Sequence, residues 1–310
     1  MPVKDTKWGI VYCPKSGSFR PKKRWEKIEK ALRQHEIDYD YVQSEQSNSV
    51  DRLVSMMINN GYKTIIIVGG DSALNDAVNC LMIADKDTRE NIKLGVIPNG
   101  KMNDFAHFWG IKENDYDGVV EMLKKGRTRK IDLGCIRYNN AKGERCHRYF
   151  HNSLNIGLVA SVMDMRRKSS GWMGVNTLTM VPSSLKMVFQ RLEYKMHLKI
   201  NDDEVKRKVM SVSIGNASGY GFTPNAVPYN GWLDVSVVYH PEVTQLFEGF
   251  YLLYSGKILN HRDVHPYRTK TVEVLKAERA QVGIDGRMMN APVGPFRVEV
   301  EQEVVSFIIP

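Results

Sequence analysis

The sequence has little cysteine and none of the cysteine spacings that bind structural metals. Its four cysteines (Cys13, Cys80, Cys135 and Cys146) are scattered over 310 residues, with no CxxC pair and no histidine at ligand spacing. A structural zinc site or a disulfide framework would need such clustering. We therefore expect a reduced, cytoplasmic setting for this protein.

Long apolar runs, repeats and biased tracts are also missing. No segment approaches the roughly 18 apolar residues of a membrane-spanning helix, and the opening MPVKDTKWGIVYCP lacks the basic lead and apolar core of a secretory signal. No repeat of about 20 to 50 residues is visible, and no stretch is of low complexity. We expect neither a membrane-spanning segment nor a secretory route.

Acidic residues are fewer than basic ones. Lys and Arg number 44 against 35 Asp and Glu, which gives a net charge of +9 and a pI near 9.2. This excess favours nucleotides, nucleic acid or an anionic membrane face as partners, although a plain basic surface would give the same balance. The basic residues are spread along the chain without the signature of a nucleic-acid reader, so nucleic-acid binding is not expected.

One basic segment has the composition of a membrane-surface loop. MRRKSSGWMG places Arg166, Arg167 and Lys168 beside Trp172 and Met173. Cations at headgroups with an aromatic residue at the boundary are typical of interfacial segments. The alternative is a solvated basic segment with Trp172 in a core. The segment predicts peripheral contact with an anionic membrane, at its inner face.

The order of apolar segments predicts two domains of different class. Up to about residue 130, short apolar runs (WGIVYC, YDYV, TIIIV and LGVIP) alternate with segments of helical periodicity. This is the pattern of a parallel sheet flanked by helices. Beyond residue 130, alternating β-branched segments predict a β-rich domain. We place an α/β domain at 1–130 and a β-rich domain at 131–310.

The aromatic-rich segment VTQLFEGFYLLYSGK is predicted to be a helix, buried in a core or lining an acyl-chain pocket.

The segment IIIVGGDSALNDAVN joins the third predicted strand to a helix. Gly69 and Gly70 allow close backbone approach, and a following helix presents free N–H groups that attract an anion. Ligands bind open α/β sheets at the carboxyl ends of the strands, where this turn lies. The turn therefore predicts a phosphate site, with Asp71 either part of its chemistry or only the N-cap of the helix.

A second turn of the same kind follows the fourth predicted strand. VIPNGKMNDF places Gly100, Lys101, Asn103 and Asp104 at the same edge of the sheet. A β-turn with Asp104 as a helix cap is the simpler alternative. Two such turns at one edge favour a ligand site.

Ordered motifs over residues 9–310 resemble one family. CPKSG resembles its NPxSG, GGDSALNDAVNCL its GGDGTxNEVxNG, and PNGKMNDFAHFWGI its PxGTxNDFAR. NSLNIGLVA, GNASGYGFTPNA, YNGWLDVSVV and IDGRMMNAP then match NxxxxGxdA, GNxxxyGGG, DDGxLDV and DGE. The chain thus resembles the diacylglycerol kinase catalytic-domain family, the bacterial lipid kinases related to sphingosine kinase and, more distantly, NAD kinase.

The resemblance implies an ATP-dependent kinase that transfers the γ-phosphoryl group to the hydroxyl of a diacylglycerol- or sphingosine-like lipid. A β-sandwich domain would supply the lipid side. Asp285 would be the base, Asp71 a second catalytic carboxylate, and Asp234 the candidate ligand of Mg²⁺. The positions matching the nucleotide loops are Ser16, Gly17, Gly69, Gly70, Asp71, Ser72, Asn75, Pro98, Gly100, Lys101, Asn103 and Asp104.

Four motifs differ from the family pattern. GGDGT is GGDSA, GTxND is GKMND, DDG is YNG and DGE is DGR, so three carboxylates and two threonine hydroxyls are lost. Arg287 in DGR either pairs with Asp285 and lowers its pKa or binds a phosphate. These departures leave open an alternative, a non-catalytic relative that binds nucleotide or lipid. A soluble kinase of the NAD kinase type is a third hypothesis, which NDFA and DGR disfavour.

Overall fold

A computed structural model describes residues 6–14, 21–45, 49–100, 103–169, 193–218, 221–239, 242–289 and 293–310. The chain divides into two compact units. Unit 1 comprises the residues up to Leu133 together with Gln302–Pro310, and unit 2 comprises Gly134–Glu301.

Unit 1 is an α/β domain with a mainly parallel sheet, as the sequence predicts. Its strands are β1 (Trp8–Tyr12), β2 (Tyr39–Gln43), β3 (Thr64–Gly69) and β4 (Lys93–Pro98), and its helices are α1 (Pro21–Gln34), α2 (Val50–Asn59), α3 (Asp71–Ile83), α4 (Lys86–Glu90), α5 (Asp104–Phe108) and α6 (Tyr116–Lys125). The strand order is β2-β1-β3-β4, with parallel pairing throughout.

The central strands are buried on both faces, which explains their uninterrupted apolar sequence. Residues 65–68 of β3 have no exposed surface. Such strands need helices on each side. Helix α2 has an apolar stripe that faces inward, since Val50, Leu53, Val54 and Met57 are all buried. Helix α6 ends at Gly126, which has φ 65°, a conformation that glycine adopts without steric cost.

Unit 2 is an antiparallel β-sandwich. Its strands are β5 (Thr128–Asn139, which starts in unit 1), β6 (Arg145–Phe150), β7 (Ser153–Gly157), β8 (Tyr194–Ile200), β9 (Asp203–Val209), β10 (Ser211–Gly215), β11 (Leu233–Val238), β12 (Val264–Thr269), β13 (Thr271–Ala277), β14 (Val282–Ile284), β15 (Arg287–Met288) and β16 (Val293–Ile308). One sheet has the order β12-β11-β10-β7-β14-β15. The other contains β16-β13-β8-β9, and apolar residues of both sheets form one buried core.

In the described part of unit 2, two helices lie outside the sandwich strands. They are α7 (Leu158–Ser169) and α8 (Val243–Tyr254), and a short 3₁₀ helix, Ile258–Asn260, follows α8. The sequence predicts α8, whereas α7 was not predicted. Four aromatic residues of α8 are exposed, so the expectation that this helix buries its aromatic residues in a core is wrong.

The observed division differs from the predicted domain boundary. The predicted change at 130/131 lies close to the change at Leu133, but residues 302–310 return to unit 1. The reason is the end of β16, where Ser306 and Phe307 pair in parallel with Lys93 and Leu94 of β4. The ring of Phe307 also packs against Phe105 of α5, with 4.7 Å between their centroids.

Among the described residues, none of the helices has both the length and the apolar character that crossing a membrane requires. The segment 170–192 lies outside the described residues, as do the side chains of Arg166, Arg167 and Lys168. The predicted interfacial loop therefore stays a prediction.

Candidate functional site

Three strand ends of unit 1 are joined by Asn99, a residue that the sequence analysis did not select. Its backbone N–H donates to the carbonyl of Gly69 (2.9 Å), at the end of β3. Its side-chain amide donates to the carbonyl of Cys13 (3.1 Å), just after β1, and its Oδ1 accepts from Arg24 of α1. Asn99 is 1% exposed. It fixes the turn after β4 to the ends of β3 and β1. Its position between the motif residues Pro98 and Gly100 was the signal available in sequence.

The two glycine-containing turns touch through their backbones. A Cβ added to Gly100 would lie 2.4 Å from the Cα of Gly70, and one added to Gly70 would lie 2.8 Å from the Cα of Gly100. Real Cβ atoms do not approach carbon so closely, so any larger residue would push the turns apart. The expectation that both turns emerge at one edge of the sheet is therefore met in unit 1.

Asp71 links these turns through its carboxylate. Its Oδ2 accepts a hydrogen bond from the backbone N–H of Asp104 (2.9 Å), and its Oδ1 accepts one from Phe105 (3.1 Å). These are the first two residues of α5, whose free N–H groups carry partial positive charge. Asp71 does not cap its own helix, whose N-cap is Gly70. The N-cap alternative is therefore wrong, because the carboxylate caps a different helix 33 residues away.

Asn103 closes the second turn. It adopts a left-handed conformation (φ 53°), which asparagine tolerates better than most residues. Its Oδ1 accepts from the N–H of Gly100 (2.8 Å), while its Nδ2 donates to the carbonyl of Gly100 (3.1 Å) and to Glu113 Oε1 (2.5 Å). Asn103 is the N-cap of α5, and Asp104, predicted as a possible cap, is the first helical residue.

The start of α3 lies directly behind the first glycine pair. The carbonyl of Gly70 accepts from the N–H groups of Ala73 and Leu74, both at 3.0 Å. A Cβ on Gly69 would lie 2.9 Å from the Cβ of Ala73, so alanine in place of the family's threonine packs against the strand end. Asn75 is fully buried, and Ser72 is half-buried at the first turn.

The structure thus brings together, within unit 1, most of the residues predicted to bind nucleotide. They are Gly69, Gly70, Asp71, Ser72, Asn75, Pro98, Gly100, Asn103 and Asp104. Ser16, Gly17 and Lys101 lie outside the described residues. Their assignment to the nucleotide loops stays a prediction.

Asp285 is enclosed in unit 2, at the turn between β14 and β15. It has no exposed surface and a positive φ of 44°. Its Oδ2 accepts from the backbone N–H of His151 (2.9 Å), and its Oδ1 accepts from those of Asn152 (3.1 Å) and Ser153 (2.9 Å). The buried ring of His151 adds an ion pair, with Nδ1 2.8 Å from Oδ2.

These contacts set the charge state of Asp285. Burial raises the pKa of its carboxyl, but the charge of His151 and the hydrogen bonds from His151 and Ser153 outweigh burial, so the pKa lies below its usual value. A carboxylate offers about four acceptor positions, and three backbone N–H groups and the ion pair with His151 engage them here. Sequence reasoning missed His151, since a histidine at the edge of an alternating strand carries no specific signal.

Asp234, the predicted metal ligand, is engaged by an arginine in unit 2. Its Oδ1 accepts from Nε of Arg268 (2.7 Å) and its Oδ2 from Nη2 (3.1 Å), a bidentate pair between β11 and β12. Within the described part of the chain, no three His, Cys, Asp or Glu residues group as a metal site would require. Asp234 in this arrangement does not fit Mg²⁺.

Two family models match the chain in succession. Residues 7–136 match the diacylglycerol kinase catalytic domain, and residues 157–309 match the YegS C-terminal NAD kinase beta sandwich-like domain. These ranges correspond to most of unit 1 and to most of the sandwich with the end of β16.

Individual proteins show the same likeness. A diacylglycerol kinase of Staphylococcus aureus (strain bovine RF122 / ET3-1) is 25% identical over 283 residues, which is 89% of this chain and 84% of that protein. The Bacillus subtilis protein YtlR is 27% identical over 158 residues, so the match covers 50% of this chain and 49% of that protein. A crystal structure of a diacylglycerol kinase from Bacillus anthracis has a TM-score of 0.68 at 16% identity and covers 99% of this chain and 98% of that one, which shows the shared fold. With both domains matched in order, the chain belongs to the diacylglycerol kinase-like lipid kinase family, in which a diacylglycerol kinase catalytic domain is followed by an NAD kinase-like β-sandwich.

Proposed function

We propose that this protein transfers the γ-phosphoryl group of ATP to the hydroxyl of a membrane lipid of the diacylglycerol or sphingosine type. The observation that carries the proposal is the backbone contact between Gly70 and Gly100, with Asp71 bonded across to α5. The order of matched domains supports it as well, and a relative that aligns over most of the chain is named a diacylglycerol kinase.

The turn after β3 has the chemistry of a phosphate site. Helix α3 begins immediately after the glycine pair, and helix N-termini bind anions through free N–H groups and the helix dipole. Asp71 is nearly buried and its two oxygens accept N–H groups of α5. We infer that Asp71 holds the two turns in place for ATP rather than coordinating the phosphates.

Asp285 has a positioning role in unit 2, as Asp71 has in unit 1. A carboxylate with three hydrogen bonds, an ion pair and a lowered pKa accepts a substrate proton poorly, because proton transfer would require breaking one of those contacts. We propose that Asp285 orders the segment 151–153, where β7 begins. The role of base, implied by the family resemblance, remains the competing hypothesis, and substitution separates the two.

Magnesium is expected with ATP, as in phosphoryl transfer generally. Mg²⁺ usually keeps several waters and binds through substrate phosphates with few protein carboxylates. We propose that it enters with ATP, and no step of the reaction is assigned to Asp234, whose oxygens both accept from Arg268.

The test is a direct kinase assay with radiolabelled ATP, Mg²⁺ and a panel of dispersed lipids that includes diacylglycerol and sphingosine. We expect labelled product with at least one lipid acceptor. ATP binding by calorimetry accompanies the assay, with Gly100→Ala as the variant that separates the turns.

Two outcomes would refute the proposal in different ways. ATP binding without labelled lipid would identify a non-catalytic relative that retains the nucleotide site. Transfer of phosphate to NAD instead of to any lipid would move the protein to the soluble-acceptor branch.

A further inference from the structure

Helix α8 of unit 2 presents four aromatic side chains to solvent. Phe247, Phe250, Tyr251 and Tyr254 are 66%, 37%, 70% and 94% exposed. Their spacing of i, i+3, i+4 and i+7 places them on one side of the helix, about 100° wide. We refer to these four residues as the aromatic face. Single exposed aromatic residues are ordinary, whereas a contiguous patch marks a surface that binds something.

The aromatic face is not what holds α8 on the unit. Leu246 is buried in a small apolar cluster with Leu158 and Val264, and Leu253 packs beside it. These two leucines lie one heptad apart, so they share a side of the helix that is about 100° from the aromatic face. The side of α8 that carries Leu246 and Leu253 packs the helix against the unit. The aromatic face therefore has no role in the core.

The size of the aromatic face argues against a stable dimer. Taking about 150–250 Å² for each fully exposed aromatic side chain, the four exposed fractions amount to roughly 500 Å². A standard interface buries about 800 Å² on each partner. A second copy of this chain would therefore need further apolar surface beside the face.

The net charge of unit 2 complements an anionic surface. Unit 2 contains 22 Lys and Arg against 15 Asp and Glu, so most of the net positive charge of the chain lies in this unit. The face itself has no charged residue, and the exposed Lys257 follows the end of α8. Around the helix axis, Glu248 lies about 110° from the centre of the aromatic face, on the side opposite to Leu246, so it is outside the face. Phenylalanine with tyrosine, flanked by lysine, is the composition of a membrane interface.

We propose that the aromatic face docks unit 2 on an anionic phospholipid bilayer, with the four rings at the headgroup boundary. The inference rests on the proposed function, because a lipid acceptor lies in the membrane. Anionic lipids attract the basic unit over a Debye length, and ring insertion then holds it at short range.

The experiment is co-sedimentation of the full chain with vesicles, without ATP. Phosphatidylcholine vesicles containing phosphatidylglycerol are compared with phosphatidylcholine alone, at low and high salt. The double variant F247S/Y251S is expected to reduce partition onto the anionic vesicles about tenfold or more, since two exposed rings are lost. The control I83S removes an 84% exposed apolar residue of α3 in unit 1 and is expected to bind as the unaltered protein does.

Unchanged vesicle binding by F247S/Y251S would overturn the proposal. So would a wild-type dimer in sedimentation velocity that the double variant converts to a monomer, because the face would then be a contact between copies. Both variants are expected to keep the wild-type thermal unfolding temperature. Kinase activity of the double variant on a detergent-dispersed acceptor is expected to be unchanged, and its loss would reassign the face to acceptor binding. Absence of any lipid phosphorylation by wild type would refute the proposed function and leave the vesicle result standing.

Discussion

Gly70 and Gly100 lie face to face, with space for no side chain between them. We expect Gly100→Ala to cost about 1–3 kcal/mol of unfolding free energy, the usual penalty for forcing extra volume into packed structure. The added methyl also separates the two turns, so ATP affinity measured by calorimetry is expected to fall. Equal affinity and equal thermal unfolding in variant and wild type would contradict this account.

The matched control for that change is Gly249→Ala in α8. A Cβ there would lie 3.6 Å from Cδ2 of His261, an ordinary contact distance. Alanine favours a helix interior over glycine by about 1 kcal/mol, so this variant is expected to be at least as stable as wild type.

Asp71→Asn tests the link between α3 and α5. In wild type, both carboxylate oxygens of Asp71 accept from backbone N–H groups. In the variant, the amide N–H₂ group would face one of those N–H donors in place of an oxygen. Leaving buried donors unsatisfied costs about 1–3 kcal/mol, which we expect as a loss of unfolding free energy in urea titrations. A weaker ATP affinity is expected alongside, because the turns lose their connection.

Asp85→Asn is the comparison for that variant. Asp85 is exposed and accepts from the N–H of Thr88 (2.9 Å) as the N-cap of α4. Asparagine caps helices about as well as aspartate, so stability is expected to be unchanged. A similar loss in both variants would mean that the effect of Asp71→Asn reflects charge alone.

Asp285→Asn is expected to remove about 3–5 kcal/mol of stability at neutral pH, since it breaks a buried charged pair. The folded-state pKa of Asp285 lies below the unfolded value, so its stabilisation is present above about pH 4 and is lost as pH falls through the folded pKa. The stability difference between wild type and variant should therefore shrink on acidification below about pH 4.

Unfolding curves of wild type and Asp285→Asn at several pH values measure this directly, with the exposed Asp87→Asn as a control that shows little difference at any pH. A variant that keeps wild-type stability and loses only kcat would support the role of base instead. Full kinase activity together with reduced stability would establish the positioning role.

Asp234→Asn tests the metal assignment. Because Arg268 occupies both carboxylate oxygens, we expect the Mg²⁺ concentration that gives half-maximal activity to be unchanged. Arg268 is half exposed, so the loss of the pair should cost no more than about 1 kcal/mol. A large rise in the Mg²⁺ requirement would show that Asp234 leaves Arg268 to bind the metal.

The sequence was informative where structure is local. Four consecutive β-branched residues followed by Gly69 and Gly70 specify a buried strand, a turn and a helix within about 20 residues, and the structure contains all three. The apolar stripe of α2 and the glycine that follows α6 are equally local features. Periodicity and turn chemistry decide such features, because the interacting residues are near neighbours in sequence.

Long-range partners were beyond such reasoning. No spacing rule links Asp71 to the N–H groups of Asp104 and Phe105, nor Asp285 to His151, because these pairs depend on which strands become neighbours. Residue types at α8 were also ambiguous, since an aromatic stripe has the same period whether it faces a core or solvent. The return of β16 to unit 1 required the tertiary pairing with β4.

That return affects how the protein is made. Unit 1 is discontinuous in sequence. Its first part ends at Leu133, and the residues that pair with β4 are synthesised only after the whole of unit 2. A nascent chain stopped within the sandwich therefore carries β4 with an open edge, of the kind that invites unwanted pairing. Contacts this distant in sequence form slowly, so unit 1, although most of it is synthesised first, is completed last.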